Sequence, residues 1–509
     1  MRKILIPLLV FVCSNIWAQD FGFGFDDDDT ENSASRPQVS LKASGEIAVE
    51  ATPYIYDFNK NFDAKEISFW NARLNLTVSS LYIDVFTNFN FNAGSITELW
   101  SGSPDLKELN HTPLIIDEAF LRAYIGPVNI EAGYRKLSWG RADSPGPLDV
   151  TNPVDYSDLR NITDTRAGKI ARPMLHVTWN TGSFSKLEGV FIPNFAGHRF
   201  ASQGRWAPSQ LTNMLSTAEA GISSMASAKF GTMALNPALK PTFDNVKNSL
   251  ISYLDDNPIT FPSTSGIKYF QAGLRYTATI GSADVGGQYF YGNLFRPNFT
   301  IAGVDDYLDD LARGILGALP PFSLNPLYPG NPALLSPQIK YSRYHQFGID
   351  YAQVLYDFNV RGELAFHLTE DLKGDDGSVQ NPFIGWSLGF DRVLNWGINL
   401  NLQLNETIRL FNGKVGDNPV LDAEAGKNAT ATRLSIQISK KFLRDNLESK
   451  ATVIWDIENI DCYIIPAVVW TVGNLNCELS SGIFAGKESG EFGQYWRNCF
   501  IKLGVKYSF

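Results

Sequence analysis

The stretch that decides the fold is residues 501–509, which read IKLGVKYSF. Apolar or aromatic residues occupy every second position, with Lys, Gly or Ser between them. This alternation is typical of a β-strand that has one apolar and one polar face. It recurs at residues 72–78, 81–86, 398–405 and 433–439. The sequence therefore predicts a β-protein built from many half-buried strands.

After position 20 there is no run of eighteen or more apolar residues, the length that a membrane-spanning helix requires, so the chain is expected to be either soluble or a membrane barrel. Three features favour a membrane barrel over a soluble sandwich, which would show the same period. Phe509 ends the chain inside its last predicted strand. Tight connections alternate with long ones, as in outer-membrane barrels. Aromatic residues suited to an interfacial girdle lie within or beside strands at Trp70, Tyr134, Tyr276, Trp396 and Trp455.

We expect an all-β fold, a transmembrane antiparallel β-barrel of about 18 strands (range about 14–18) with short helices in its long loops. An even strand number leaves both termini on the periplasmic side. The predicted strands span approximately residues 39–51, 68–78, 81–91, 115–125, 127–137, 173–181, 183–193, 266–278, 282–293, 340–354, 357–369, 382–392, 396–410, 431–441, 446–456, 461–472, 474–484 and 498–508.

The first residues predict export from the cytoplasm. Residues 1–18 have the pattern of a secretory signal peptide, with basic Arg2 and Lys3, an apolar stretch and a small residue at the cleavage site. Lipoprotein processing at a cysteine within this segment is the alternative. We expect an acidic, disordered tail at residues 19–38. Residues 39–509 are then a single barrel.

The composition excludes several classes of function. The formal net charge is −10, with 53 acidic residues against 43 Lys and Arg, which argues against a nucleic-acid partner. Aromatic residues make up 13% of the chain and charged residues 19%, which excludes intrinsic disorder of the whole chain. Four Cys are too few for a disulfide scaffold of this length.

Two long predicted loops, at about 196–262 and 300–320, carry apolar residues at helical spacing. We expect their short amphipathic helices to plug or cap the lumen and to offer an apolar entry site. The alternative is that they pack only on one another, outside the barrel. The stripes comprise Leu211, Met214, Leu215, Ala218, Ile222 and Met225; Val246, Leu250, Ile251 and Leu254; and Tyr307, Leu308, Leu311, Ile315 and Leu316.

Charged residues lie opposite the apolar face of the predicted strands. We expect them to face the lumen, because an Arg or Lys on lipid at mid-membrane would cost about 2–4 kcal/mol. They either select substrates electrostatically or form salt bridges that support the lumen. These candidates are Arg73, Asp84, Glu118, Arg122, Glu131, Arg275, Asp350, Arg361, Glu363 and Arg433.

The predicted loop 138–172 concentrates residue types that are common at functional sites. We expect it to fold inward as a constriction on the substrate path, because functional side chains concentrate on loops over rigid scaffolds. The alternatives are a cap over the barrel or a scaffold of turns, since the loop contains Pro-Gly-Pro and Asn-Pro. The candidates in and beside the loop are Arg135, Trp139, Arg141, Asp143, Asn152 and Asp155.

A search for catalytic motifs finds none. The sequence has five His, but no H-x-x-x-H metal pair. It has neither a G-x-S-x-G nucleophile elbow nor a phosphate loop. We therefore expect no enzymatic activity, no cofactor and no metal site, although a site assembled from separate strands would leave no motif.

Residues 133–143 read GYRKLSWGRAD, and residues 152–155 read NPVD. In these motifs the chain resembles an uncharacterised family of bacterial outer-membrane β-barrel proteins that are often encoded beside RND-type exporters. More distantly, it is similar in size and style to FadL-like hydrophobic-substrate channels. The family has Arg-Gln where this chain has Tyr134-Arg135-Lys136, so no role of that Gln transfers. The resemblance implies an outer-membrane location and a place in RND-type export.

From these observations we expect an outer-membrane channel for passive, substrate-selective diffusion of small hydrophobic or amphipathic molecules. The alternatives are a surface-exposed adhesin or binding barrel, a sealed structural envelope protein, and an accessory of an RND-type exporter. The expected partners are outer-membrane lipid, a small-molecule substrate and the barrel-assembly machinery. That machinery would recognise the C-terminal strand through its aromatic residues Tyr507 and Phe509.

Overall fold

The computed structural model describes residues 39–57, 68–92, 116–143, 145–231, 236–257, 261–316 and 327–509. The predicted signal peptide and acidic tail lie outside the described residues. Eighteen antiparallel strands form one closed sheet. Each strand pairs with its neighbours in chain order, and the first strand also pairs with the last. The predicted all-β fold, a closed antiparallel barrel of eighteen strands, is therefore confirmed.

The strands lie close to the positions that the alternation predicts. They are β1 (Val39–Ala51), β2 (Ser68–Ser80), β3 (Ile83–Asn92), β4 (Ile116–Ile125), β5 (Val128–Arg135), β6 (Arg172–Gly182), β7 (Ser185–Ile192), β8 (Gln271–Ile280), β9 (Ala283–Asn293), β10 (Arg343–Leu355), β11 (Phe358–Thr369), β12 (Phe383–Leu394), β13 (Ile398–Arg409), β14 (Thr430–Phe442), β15 (Leu447–Asp456), β16 (Asp461–Val472), β17 (Leu475–Ala485) and β18 (Phe500–Ser508).

The long loops carry three helices of thirteen or seventeen residues, as predicted: α1 (Met214–Phe230), α2 (Lys240–Asp256) and α3 (Val304–Leu316). Single helical turns lie at Thr165–Gly168 and Ser209–Thr212. Two short strand pairs join Asp155–Tyr156 to Arg199–Phe200 and Asn298–Ala302 to Ser336–Lys340. The 3-10 turns are Ile55–Asp57, Leu159–Asn161, Ile267–Tyr269, Pro332–Leu334, Asn395–Gly397, Asn412–Lys414 and Gly493–Asn498. In the described part of the chain, no helix combines the length and hydropathy needed to cross a bilayer.

The connections differ in length between the two ends of the barrel. At one end, which we call the short-turn end, neighbouring strands are joined by tight turns, and Val39 and Ser508 also lie there. The other, long-loop end carries the helices and most of the chain outside the barrel. Both described termini of the barrel therefore lie on the same side as the tight turns.

The outer face of the barrel is apolar and has aromatic residues near both ends. All five aromatic residues predicted for a girdle are exposed. Trp70, Tyr134 and Trp455 lie near the long-loop ends of their strands, whereas Tyr276 and Trp396 lie toward the short-turn end. Two aromatic belts on an apolar wall are the surface that a bilayer requires of a barrel.

The helices pack on one another at the long-loop end. Their apolar stripes meet in a buried group, which we call the helical cluster. The buried residues of the stripes pack on one another and on Ile301, Leu335 and Val420 outside the helices. That the helices plug or cap the lumen stays a prediction. The helical cluster contains Ala218, Ile222, Ala226, Leu239, Val246, Leu250, Ile301, Val304, Tyr307, Leu308, Leu311, Ile315, Leu335 and Val420.

Candidate functional site

The connection from β5 to β6, residues 136–171, folds into the barrel. Its first half reaches β13, which is eight strands away around the ring. There the backbone amide of Asp143 donates to Oε1 of Gln403 at 2.7 Å. The Asp143 carboxylate also accepts hydrogen bonds from Arg361 on β11 and Asn401 on β13. Because these partners line the inner wall, the loop crosses the lumen. We call it the crossing loop.

Glu363 on β11 binds the backbone of the crossing loop. Its carboxylate accepts hydrogen bonds from the amides of Arg141, Ala142 (2.7 Å) and Leu148 (3.3 Å). The glycine at position 140 has φ +95°, and a Cβ there would lie 2.3 Å from Oε1 of Glu363. A side chain at this position would therefore displace the carboxylate and strain the backbone.

Ion pairs hold the first half of the crossing loop against β8, β9 and β10. Nε of Arg141 lies 3.0 Å from Asp350, and its Nη1 lies 3.1 Å from Asp284. Arg275 also pairs with Asp350, at 2.6 Å. Arg141 is therefore part of a buried network that attaches the loop to the wall.

Trp139 and Asn152, both predicted for the substrate path, have structural positions instead. The Trp139 side chain is only 4% exposed and packs edge-on against Phe290, with ring centroids 6.3 Å apart. The Asn152 amide donates to the carbonyls of Arg135 and Ile170, at 2.9 Å each, and so ties the two ends of the crossing loop together. These residues shape the loop rather than line its surface.

The second half of the crossing loop turns toward the opposite wall. The carbonyl of Leu159 accepts a hydrogen bond from the hydroxyl of Tyr463 on β16, at 3.1 Å. Arg160 lies 3.6 Å from Glu50 on β1, and its guanidinium stacks 3.4 Å above the ring of Phe69 on β2. Together with the contacts of its first half, the crossing loop touches the wall on several sides of the lumen.

A second segment, residues 193–208, crosses above the first. It starts at β7 and pairs with the crossing loop through the parallel strands Asp155–Tyr156 and Arg199–Phe200. It ends at the far wall, where Trp206 packs against Phe484 on β17 and against Tyr495, with centroids 5.6 Å apart in both pairs. We call this the upper segment. The sequence showed no sign of this second crossing.

His198 joins the upper segment to the crossing loop. Its Nδ1 accepts a hydrogen bond from the amide of Val154 at 2.9 Å, and its ring lies beside Tyr156 and Phe295. Burial lowers the pKa of His198 to about 3, so the imidazole is neutral near pH 7. His198 therefore acts as an uncharged packing residue in this aromatic contact.

Glu491, in the loop before β18, links two basic residues across the long-loop end. Arg433 on β14 pairs with its carboxylate, and Arg296 lies 3.7 Å away. Burial alone would raise the pKa of Glu491, but Arg433 and Arg296 outweigh burial and hold that pKa below its usual range. The carboxylate therefore stays ionised and ties together loops from separate parts of the chain.

Three cavities remain inside the barrel around the crossing loop. The central cavity has a volume of about 560 Å³ and shares Arg73, Asp164 and Ala167 with the mixed cavity, of about 330 Å³. The lower cavity, of about 430 Å³, extends toward the short-turn end and shares Arg122, Arg135, Lys136 and Arg166 with the central cavity. The three spaces therefore adjoin one another along the crossing loop.

The predicted path residues differ in their relation to these cavities. Arg135 lines the central and lower cavities, whereas Asp143 and Asp155 line the mixed cavity. Asp155 also pairs with Arg199 at 3.0 Å. The alternation of polar residues in β13 and β14 could have identified further lining residues, Asn401, Gln403, Asn405, Ser435 and Gln437.

The predicted lumen charges form contacts inside the barrel. Arg122 pairs with Glu131 at 2.7 Å, and Glu131 also binds Arg135 and His176. The remaining contacts are Arg73 with Glu46, Asp84 with Tyr124, Glu118 with Arg166, Arg275 with Asp350, Arg361 with Asp143 and Asp391, Glu363 with the crossing loop, and Arg433 with Glu491. All ten charges therefore have partners inside the barrel, and five of them, Arg73, Glu118, Arg122, Glu131 and Arg433, also line the cavities.

Comparison with solved structures identifies several outer-membrane proteins at low similarity, among them a porin. A BenF-like porin from Pseudomonas fluorescens Pf-5 has 11% identity and a TM-score of 0.44, covering 92% of this chain and 98% of the porin. OpdK of Pseudomonas aeruginosa, solved with vanillate, has 10% identity and a TM-score of 0.42, covering 92% and 98%. OmpF of Salmonella typhi, in complex with daunomycin, has 8% identity and a TM-score of 0.37, covering 92% and 97%.

These values are too low to transfer any property of the porins to this chain. No protein-family model and no curated protein matches the sequence. Within the described ranges, no three His, Cys, Asp or Glu side chains are grouped as metal ligands. The geometry of the lumen is therefore the basis on which a function can be inferred for this chain.

Proposed function

We propose that this protein is an outer-membrane channel for passive diffusion of small amphipathic solutes, with a preference for anions. The observation that carries the proposal is that the crossing loop narrows the lumen but leaves three adjoining cavities within the barrel. A sealed structural barrel has no need of such spaces, whereas a selective channel requires a narrowed and chemically defined passage.

The charges that line the cavities support a preference for anions. Five basic and three acidic side chains line the central cavity, and five basic and two acidic side chains line the lower cavity. The Arg166 side chain is 75% exposed, whereas that of Glu131 is only 6% exposed. In the central and lower cavities a solute therefore meets more basic than acidic side chains, whereas four acidic and two basic side chains line the mixed cavity.

The mixed cavity supports an amphipathic substrate. Tyr156, Ile162 and Phe492 supply apolar surface on its loop side, and Gln403 and Gln437 supply amide groups on its wall. A site with mostly apolar walls and a few polar groups is typical of small-molecule binding. Entry through the helical stripes stays a prediction, since part of each stripe is buried in the helical cluster.

The arrangement of the connections supports an orientation in the membrane. Outer-membrane barrels have short periplasmic turns and longer extracellular loops. By this rule the helical cluster lies at the cell surface and the barrel termini lie in the periplasm. Recognition of the C-terminal strand by the assembly machinery, and a place in RND-type export, stay predictions.

Planar-bilayer recordings test the proposal. The refolded mature chain should open steady channels whose reversal potential in a KCl gradient shows a preference for chloride. Arg166→Ala should reduce that preference, because it removes the most exposed positive charge of the central cavity. Lys247→Ala is the matched control, since Lys247 is exposed on α2 and lines none of the three cavities, and it should leave the preference unchanged.

Two results would contradict the proposal. A preference for potassium would refute the anion selectivity but would still support the proposal that the protein is a channel. Silence of a barrel that is shown to be folded by its heat-dependent shift in electrophoresis would refute the channel itself, and would favour an adhesin or a structural envelope protein.

A further inference from the structure

The outer wall of the barrel has an apolar groove that the proposed channel does not use. It has a volume of about 330 Å³ and crosses β6 to β9 on the face opposite the lumen. Its ridges are Leu175, Phe191, Leu274 and Tyr289, and Leu274 is 56% exposed. The strand register places Leu274 between Gly189 and Tyr289, so the glycine forms the floor.

Aromatic rings continue from the groove toward the long-loop end. Phe191 stacks on Phe270, with centroids 6.1 Å apart, and Phe270 packs against Tyr291 at 5.5 Å. The hydroxyl of Tyr289 forms a hydrogen bond of 2.8 Å with Nδ1 of His345. The rings therefore form a continuous path along the outer wall, from fully apolar surface to polar surface.

Two basic residues lie at the upper end of this path. The Arg343 guanidinium lies 4.9 Å from the centroid of Tyr291 and 5.6 Å from that of Phe270. It donates to the carbonyls of Phe270, at 3.0 Å, and Lys268. A guanidinium has five N–H donors, so these two bonds leave donors for another acceptor. Lys268 is itself exposed beside it.

We propose that this surface binds an anionic, phosphate-bearing lipid of the leaflet at the long-loop end, for which phosphatidylglycerol is the probe. One acyl chain lies in the groove, and the phosphate contacts Arg343 and Lys268. The charge complementarity favours a lipid over a second barrel, because a barrel face of the same apolar character would leave both cations without a partner. The inference rests on the proposed membrane location, but not on conduction.

The test is native mass spectrometry of the full barrel, released from micelles that contain phosphatidylglycerol and phosphatidylcholine with identical acyl chains. The intact barrel should retain one phosphatidylglycerol in preference to phosphatidylcholine. The double variant Arg343→Gln with Lys268→Gln should lose this preference. Lys440→Gln is the matched control, because Lys440 also lies over an aromatic ring, that of Phe442, but at the short-turn end.

A third variant tests the groove separately. A Cβ at Gly189 would lie 3.5 Å from Leu274, an ordinary contact, so Gly189→Leu fits the fold while filling the groove. This variant should retain less of both lipids. Equal retention of the two lipids by the intact barrel would overturn the proposal. It would also be overturned if Gly189→Leu retained phosphatidylglycerol normally, or if excess inorganic phosphate alone removed the bound lipid.

Conductance measured on the same variants separates this inference from the proposed function. The groove and both basic residues lie outside the lumen, so the lipid variants should conduct like the intact barrel. A barrel that binds the lipid but is silent in the bilayer would refute the channel and leave the lipid site in place.

Discussion

At the scale of single residues, the lumen is organised by side chains that bind backbone groups of the crossing loop. Glu363 accepts amide hydrogen bonds from three loop residues, and Asn152 donates to two loop carbonyls. An unsatisfied buried polar group costs about 1–3 kcal/mol. Each of these two side chains therefore has a larger effect on the loop than an exposed residue of the same type.

Glu363→Ala should release the first half of the crossing loop. The three amides lose their acceptor, so we expect a loss of about 1–3 kcal/mol in the free energy of unfolding, since lumen water can replace part of the bonding. Single-channel conductance should increase and become noisier. Asp445→Asn, in a tight turn at the short-turn end, is the control. Unchanged conductance in Glu363→Ala would show that the carboxylate does not hold the loop.

Asn152→Ala should destabilise the loop without changing ion selectivity. The carbonyls of Arg135 and Ile170 lose their donor, which we expect to cost about 1–3 kcal/mol. Thermal unfolding measures the loss, and the reversal potential should stay the same because Asn152 is buried. The exposed Asn428→Ala serves as control. If the variant changed the ion selectivity but not the stability, the result would support the original prediction that Asn152 lies on the substrate path.

At the scale of secondary-structure elements, the helices and the two crossing segments pack against different parts of the protein. The helices bury their apolar stripes in the helical cluster, whereas the crossing segments contact the inner wall. The upper segment packs on β16, β17 and β18 through Trp206, which lies with Tyr463 in one buried aromatic group. The helical cluster should therefore unfold locally without opening the barrel.

Leu311→Ala should loosen the helical cluster alone. Leu311 is fully buried on α3, and removal of a buried leucine side chain costs about 2–5 kcal/mol. We expect faster proteolysis within α1 and α2, while the heat-dependent electrophoretic shift of the barrel stays unchanged. Leu316→Ala, at the exposed end of α3, should have a smaller effect. Equal protease sensitivity of both variants would contradict this packing.

At the scale of the whole molecule, two layers of chain lie across a closed ring of strands. The crossing loop extends from β5 across the lumen and contacts β13, and the upper segment extends from β7 across the lumen and contacts β17. Each connection spans about half of the ring. Access to the cavities from the long-loop end therefore depends on both segments.

Two deletions distinguish these layers. Replacement of residues 209–257 by a Gly-Ser linker removes α1 and α2 but keeps the upper segment, and should leave the conductance close to that of the intact protein. Replacement of residues 196–262 removes the upper segment as well, and should raise the conductance severalfold in the same planar bilayers. Equal conductance of the two deletions would show that the upper segment does not restrict the lumen.

The positions of the strands and the faces of their side chains follow from local patterns in the sequence. Side chains in a β-strand alternate between its two faces, as they do in residues 398–405. Because each strand pairs with its neighbours in chain order, the pairing can be predicted without knowledge of contacts between distant residues. The eighteen strands, the inward side of charges such as Arg73 and the helical inserts were therefore predictable. The apolar stripe that contains Leu311 could also be recognised in the sequence, but the residues that pack against this stripe could not.

The paths of the loops and the contacts of the charged residues depend instead on the folded chain. Asp143 meets Arg361 and Asn401, which are more than two hundred residues away in the chain. No local pattern encodes such a contact, because it depends on the closure of the ring. The same reason explains why Trp139 and Asn152 resemble lining residues in the sequence but are buried in the fold.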